Sequence, residues 1–129
     1  MRVDGIDHIA INTVNIEESA NYYKDVFGFR EVSRANMGDC ILVYLEIQPG
    51  TYLELFDLRG NVERGNSPEN RQGLRHIAFG VKDIESWNRH LKAKKADFVM
   101  ELTRMEPIHK DGILVRDPNG VIVELSADY

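Results

Sequence analysis

The sequence predicts an α+β chain in which one module of strand, helix and strands is written twice. Three observations carry this expectation. The phrase Gly5-Ile-Asp-His-Ile-Ala10 returns as Gly73-Leu-Arg-His-Ile-Ala78, which sets His8 on His76. A second phrase closes each half: Thr51-Tyr-Leu-Glu-Leu55 is answered by Val121-Ile-Val-Glu-Leu125, which sets Glu54 on Glu124. Each half also holds one stretch with helical periodicity among runs that alternate as strands do.

The elements follow in order. Residues 5–12 alternate and are rich in Ile, so a strand is expected, with Ile6, His8 and Ala10 on one face and Asp7, Ile9 and Ile11 on the other. Asn15 and Glu18 have the spacing of a capping box, and Gly28 stands where a helix ends. Between them Ile16, Ala20, Tyr23 and Phe27 form the buried stripe of an amphipathic helix. Strands are predicted near 29–33, at 41–47 and at 52–56, the last two divided by the turn Gln48-Pro-Gly50. The second half repeats the plan: a strand over 74–81, then a helix capped by Asp83 with a stripe of Ile84, Trp87 and Leu91. A strand over 98–102 follows, then a loop through Pro107 and Gly112. Strands at 113–116 and 121–126 then flank the turn Asp117-Pro-Asn-Gly120. This divides the chain into a first module (1–58), a linker (59–72) and a second module (73–129) of one domain. The linker is polar and carries Arg59, Arg64 and Arg71, with Arg75 just beyond. It reads as a solvated connection balanced by Glu63 and Glu69, in preference to an anion clamp.

Composition narrows the function. A formal charge of −5 in 129 residues argues against nucleic acid as the main partner, since phosphate binding needs a basic surface. No apolar run reaches the ~18–20 residues of a membrane span, and the first residues enter a strand without a signal-peptide pattern. The single cysteine, Cys40, excludes an intrachain disulfide and a Cys-based zinc site, and it fits a reducing cytoplasm. Beside Ile41-Leu-Val43 it reads as a half-buried filler and not a nucleophile.

Face parity turns the repeat into a candidate site. In the first strand of each module the histidine lies opposite the apolar positions. In the last strand the glutamate lies opposite Leu53 and Leu55, or Val123 and Leu125. Each helix must cover the apolar face of its sheet, so His8, Glu54, His76 and Glu124 are left on the uncovered faces. A glutamate within an apolar strand is costly unless it is paired or ligates a metal. Any one of the four could be a satisfied core histidine or an edge-strand charge. Two His–Glu sets placed by one repeat point instead to a divalent metal site, with Tyr52, Phe56 and Ile122 lining it. His90 reads as a solvated helix residue. His109, in a loop, is a candidate for substrate contact.

These residues resemble the vicinal oxygen chelate superfamily of glyoxalase I, bleomycin-resistance proteins, fosfomycin-resistance enzymes, extradiol dioxygenases and methylmalonyl-CoA epimerase. The resemblance spans essentially the whole chain and looks closest to small bacterial glyoxalase I-like proteins. It implies two βαβββ modules forming an open, cupped mixed β-barrel around a metal, and a homodimer. It implies that His8, Glu54, His76 and Glu124 fill the His-Glu-His-Glu ligand pattern of bacterial glyoxalase I. The ion would be Ni, Co, Zn or Mn, or Fe(II) in a dioxygenase. The implied activity is that of a metal-dependent lyase or isomerase, lactoylglutathione lyase-like, acting on a small substrate with vicinal oxygens through an enediolate. Glu124 would be the base, with Glu54 second. The alternatives are an extradiol-type dioxygenase, an acyl-CoA epimerase and a non-catalytic resistance protein that binds a small molecule. Two positions depart from glyoxalase I. Asn12 stands where it has Arg, and Leu58 where it has Asn. Both put glutathione as the cosubstrate in doubt.

Overall fold

The computed structural model describes residues 1–65 and 70–129, and the chain divides into two compact units, Met1–Arg64 and Gly65–Tyr129. Residues 66–69 of the polar linker, with the balancing charge expected at Glu69, lie outside the described residues.

The first unit runs β1 (His8–Thr13), α1 (Ile16–Phe27), β2 (Arg30–Asn36), β3 (Ile41–Gln48) and β4 (Thr51–Asp57). The sheet order is β1-β4-β3-β2, with β1 parallel to β4 and the other pairs antiparallel. The second unit repeats it: β5 (Ile77–Gly80), α2 (Ile84–Ala93), β6 (Asp97–Met105), a 3-10 turn (Glu106–Ile108), β7 (Lys110–Arg116) and β8 (Ile122–Asp128). Its order is β5-β8-β7-β6, again with the first strand parallel to the last. The fold is therefore α+β, with two βαβββ modules on four-stranded open sheets.

Local chemistry explains the helix limits. The Asn15 side chain accepts the Glu18 N–H at 3.0 Å, and Gly28 adopts the left-handed conformation at φ 74°, so α1 begins and ends at the predicted caps. In α2 the Asp83 carboxylate accepts the Ser86 N–H at 2.9 Å. Ile16, Ala20, Tyr23 and Phe27 are all buried, as the stripe requires. Tyr23, Phe27 and Phe29 stack within 5.7–6.0 Å of one another and close the end of the first core. Val43, Leu45, Leu53 and Leu55, fully buried, supply the sheet side. In the second unit Ile84 and Leu91 bury against α2's sheet, where Ile113, Val115, Val123 and Leu125 form the core. Trp87 is only half-buried and meets His90 edge-on at 5.5 Å, so His90 is half-buried rather than solvated.

Several boundaries differ from expectation: β1 begins at His8 and not at residue 5, which leaves Ile6 exposed and Asp7 outside the strand, and β2 runs on to Asn36. β5 is shorter than the predicted 74–81, so His76 precedes it by one residue. β6 extends to Met105 and β7 starts at Lys110, so most of the expected loop is strand, with the 3-10 turn between. Apolar alternation marks only the buried middle of a strand. The ends are held by backbone pairing, such as Met105 with Lys110, which side-chain polarity does not report.

Candidate functional site

The registers place the functional residues in matching cross-strand rows. In the first unit His8 stands beside Tyr52, and Ala10 stands beside Glu54, which in turn neighbours Tyr44 on β3. In the second unit Ala78 stands beside Glu124, which neighbours Leu114. The alanines matter. A small side chain beside each glutamate leaves room for the histidine two residues before it to approach.

The structure brings the four candidates together as two pairs. In the first unit His8 Nε2 lies 4.0 Å from Glu54 Oε1, too long for a hydrogen bond but short enough for one ion to touch both. In the second, His76 Nε2 donates to Glu124 Oε2 at 2.7 Å. Among the described residues no group of three or more His, Cys, Asp or Glu side chains is gathered closely enough to hold a metal ion. Glu54 is 5% exposed and flanked by the fully buried Leu53 and Leu55, which is costly for a carboxylate without a cationic partner.

His8 has a feature that the face-parity argument does not reveal. Its Nδ1 is 2.7 Å from Asp7 Oδ2. Asp7 lies before β1 begins, so strand alternation does not carry its side chain to the opposite face. Hydrogen bonding to the Asp7 carboxylate raises the His8 pKa above the ordinary imidazole value. Desolvation opposes this, and the charges of Glu54 and Asp7 add to the rise. An imidazole held this way carries its proton on Nδ1 and aims a free Nε2 at Glu54, the usual support for a metal-binding histidine. The Tyr44 ring stands edge-on to His8 at 6.1 Å, and Tyr52 stands edge-on to Tyr44 at the same distance. The second pair is built differently. Arg75 occupies the place of Asp7, and His76 Nδ1 is buried without a hydrogen-bond partner. The donor chemistry, two imidazole nitrogens and two carboxylates, fits a divalent ion, and the first pair is already oriented for one.

The other candidates are scattered. Ile122 is buried and, with His76, lines a cleft of about 260 Å³ in the second unit. Phe56 stands one row beyond Glu54, between Asn12 and Leu42. His109 is exposed at the end of the 3-10 turn with its ring 5.9 Å from Tyr129. Only its neighbours Ile108 and Lys110 reach a second cleft, of about 520 Å³, that also borders Glu124. Arg59 of the linker donates to Asn36 at 3.0 Å, which suits a structural residue better than a clamp. The sequence pattern assigns Gly112 only to a loop. It lies in β7, where an added Cβ would meet the Met105 methyl at 2.6 Å and Glu124 Oε1 at 3.3 Å. A glycine inside a strand signals such close approach, once the strand is recognised.

A profile of the Glyoxalase/Bleomycin resistance protein/Dioxygenase superfamily matches residues 5–125. This chain belongs to that superfamily, the vicinal oxygen chelate proteins. It is 33% identical to the uncharacterized protein YaeR of Escherichia coli (strain K12), over 93% of each chain. It is 31% identical, over 94% of its length, to a manganese-dependent 2,3-dihydroxybiphenyl 1,2-dioxygenase of Geobacillus genomosp. 3, and spans 36% of that longer protein. A glyoxalase family protein from Enterococcus faecalis, solved by crystallography, superposes with a TM-score of 0.82 at 26% identity, covering 95% of this chain and 97% of that one. No helix among the described residues is long and apolar enough to cross a membrane.

Proposed function

We propose that this protein is a divalent-metal-dependent lyase or isomerase of glyoxalase I type, acting on a small substrate with vicinal oxygens, its two modules working as one domain. One observation carries the reading: an imidazole and a carboxylate approach each other at equivalent positions of both modules, His8 with Glu54 and His76 with Glu124. Joined, within one chain or across a homodimer, the two pairs would hold one Ni, Co, Zn or Mn ion through two nitrogens and two carboxylates. When bound, that ion supplies Lewis acidity to adjacent substrate oxygens. A cytoplasmic protein with a small-molecule substrate is the setting this implies.

The protein's own groups then divide the work. Asp7 orients His8. Glu54, the more buried carboxylate, anchors the ion and is the second choice for base. Glu124 is the base. Its side chain is 14% exposed, borders the larger cleft and is 2.7 Å from a nitrogen that shares a proton with it. It would take the proton from the carbon beside the substrate carbonyl and return it to the neighbouring carbon, so it must reach both within hydrogen-bond distance. Tyr52, Phe56 and Ile122 wall the site.

A ring-cleaving dioxygenase is the second reading, favoured by the name of the Geobacillus relative. It would use His8, His76 and Glu124 and leave Glu54 without a role, although Glu54 is the most buried of the four. Turnover decides between them. Metal-stripped protein is assayed with the methylglyoxal–glutathione hemithioacetal before and after adding Ni, Co, Zn or Mn singly, and for oxygen uptake with catechols and Fe(II) or Mn. Metal-dependent thioester formation supports the lyase; oxygen uptake without it supports the dioxygenase. In the lyase, Glu124→Gln should lower kcat by at least about a hundredfold while most metal binding survives. Normal turnover in that variant overturns the assignment of the base.

A further inference from the structure

The two modules match row for row near the His–Glu pairs, and then part company. One row beyond Glu54 the first sheet presents Asn12, Phe56 and Leu42 side by side. One row beyond Glu124 the equivalent residues are Gly80, Ser126 and Gly112. Large side chains fill this face in the first unit, and almost none do in the second. The space over Gly112 is taken by the methyls of Met105 and Met100. The space over Gly80 and Ser126 is open, and it is the floor of the cleft of about 520 Å³ that begins at Glu124.

The far end of that cleft differs in charge as well. By continuation of the same register, Cys40 and Leu58 end the face of the first sheet, whereas Lys110 and Asp128 pair at the end of the second. Lys110 Nζ is 2.5 Å from Asp128 Oδ1, but that carboxylate is 84% exposed and on the last residue of β8. Lys82, exposed, lines the same cleft. Four residues of strand separate Glu124 from Asp128, about 13 Å.

We propose that this trough of the second module holds the tail of the substrate, and that the tail ends in an anionic group bound by Lys110 and Lys82. The inference rests on the reading of Glu124 as the residue facing the reacting end, and it names the substrate class: an elongated acid whose anion lies roughly 10–13 Å from its vicinal oxygens. Gly80 and Ser126 set the depth of the trough. The incoming anion replaces the exposed Asp128 carboxylate on Lys110, forming a charge-assisted hydrogen bond in the cleft.

Two probes of matched length test this: the monohydroxamate of octanedioic acid, with a carboxylate tail, and octanohydroxamic acid, with a neutral one. Each is titrated into the isotope-labelled full chain, first metal-free and then loaded with Zn, following the amide signals of Gly80, Ser126 and Lys110. The acid tail should bind about tenfold more tightly than the neutral tail. That preference should vanish in a Lys82→Met/Lys110→Met double variant and persist in Lys110→Arg. Ser126→Phe, which restores the filled row of the first module, should weaken both probes. Equal affinity for the two tails, or a preference that outlasts both lysines, overturns the proposal. The metal reading fails separately, if Zn tightens neither probe; a tail preference in metal-free protein would still support the trough.

Discussion

Asp7 shows how much a single side chain can decide. Its carboxylate accepts the His8 Nδ1 proton at 2.7 Å and leaves Nε2 directed at Glu54. Removing such a support typically lowers metal affinity by about 10–100-fold. Asp7→Ala should therefore weaken divalent-metal binding by at least about tenfold, measured by titration calorimetry, with the fold unchanged in circular dichroism. Arg75, at the matching position of the second module, offers no such acceptor, so Arg75→Ala should leave the affinity within about twofold. A loss in Asp7→Ala matched by a comparable gain in Arg75→Ala would show that Asp7 acts through general charge and not through the His8 ring.

Between helix and strand, the first module carries a charge cluster outside its core. Arg34 on β2 donates to Glu17 on α1 and, at 3.0 Å, to Glu31 on its own strand, and Lys24 of α1 reaches Glu31 at 3.1 Å. The hydrogen bond from Arg34 is the main reason both glutamates lie below the ordinary value of 4.5. Carboxylates with lowered values stabilise the fold above their unfolded value, and that contribution is lost as pH falls through the lowered folded values. Arg34 and Glu17 are substantially exposed and screened, so the network is worth about 0.5–1 kcal/mol. Arg34→Ala should lower stability by that amount at pH 7 in urea unfolding, and the difference from wild type should shrink progressively below pH 4.5. A difference constant down to acid pH would mean that lost packing of the Arg34 stem, and not its charge, is responsible.

At the level of the full chain, the proposed function requires the two His–Glu pairs to act on one ion. That has a stoichiometric signature. Native mass spectrometry should find one metal per chain, and His8→Ala and His76→Ala should each lose most of the binding. If each pair held its own ion, the wild type would carry two, and each variant would retain one. The same repeat that duplicates the His–Glu pairs also lets the surroundings of each pair differ. The first module packs Phe56 and Leu42 beside its glutamate, and the second leaves a trough over Gly80 and Ser126. A duplicated module is free to diverge in this way because the sheet face turned away from the helix accepts large or small residues without disturbing the core on the other face.

The repeated phrases around His8 and His76, and around Glu54 and Glu124, were enough to establish the α+β module and its duplication, and Asn15, Gly28 and Asp83 marked the helix caps. These follow from short-range rules: alternation along a strand, periodicity along a helix, and side chains such as Asn15 that satisfy nearby backbone groups. The His8–Asp7 contact, the burial of Glu54 and the closeness of Gly112 to Glu124 were not legible. Asp7 escapes parity because the strand starts one residue later. Gly112 gains its neighbour only when β7 pairs with β8, and the trough exists only because Gly80 and Ser126 meet across β5 and β8. Pattern along the chain reports which face a side chain takes. Register between strands, a product of tertiary pairing, decides what that side chain meets there.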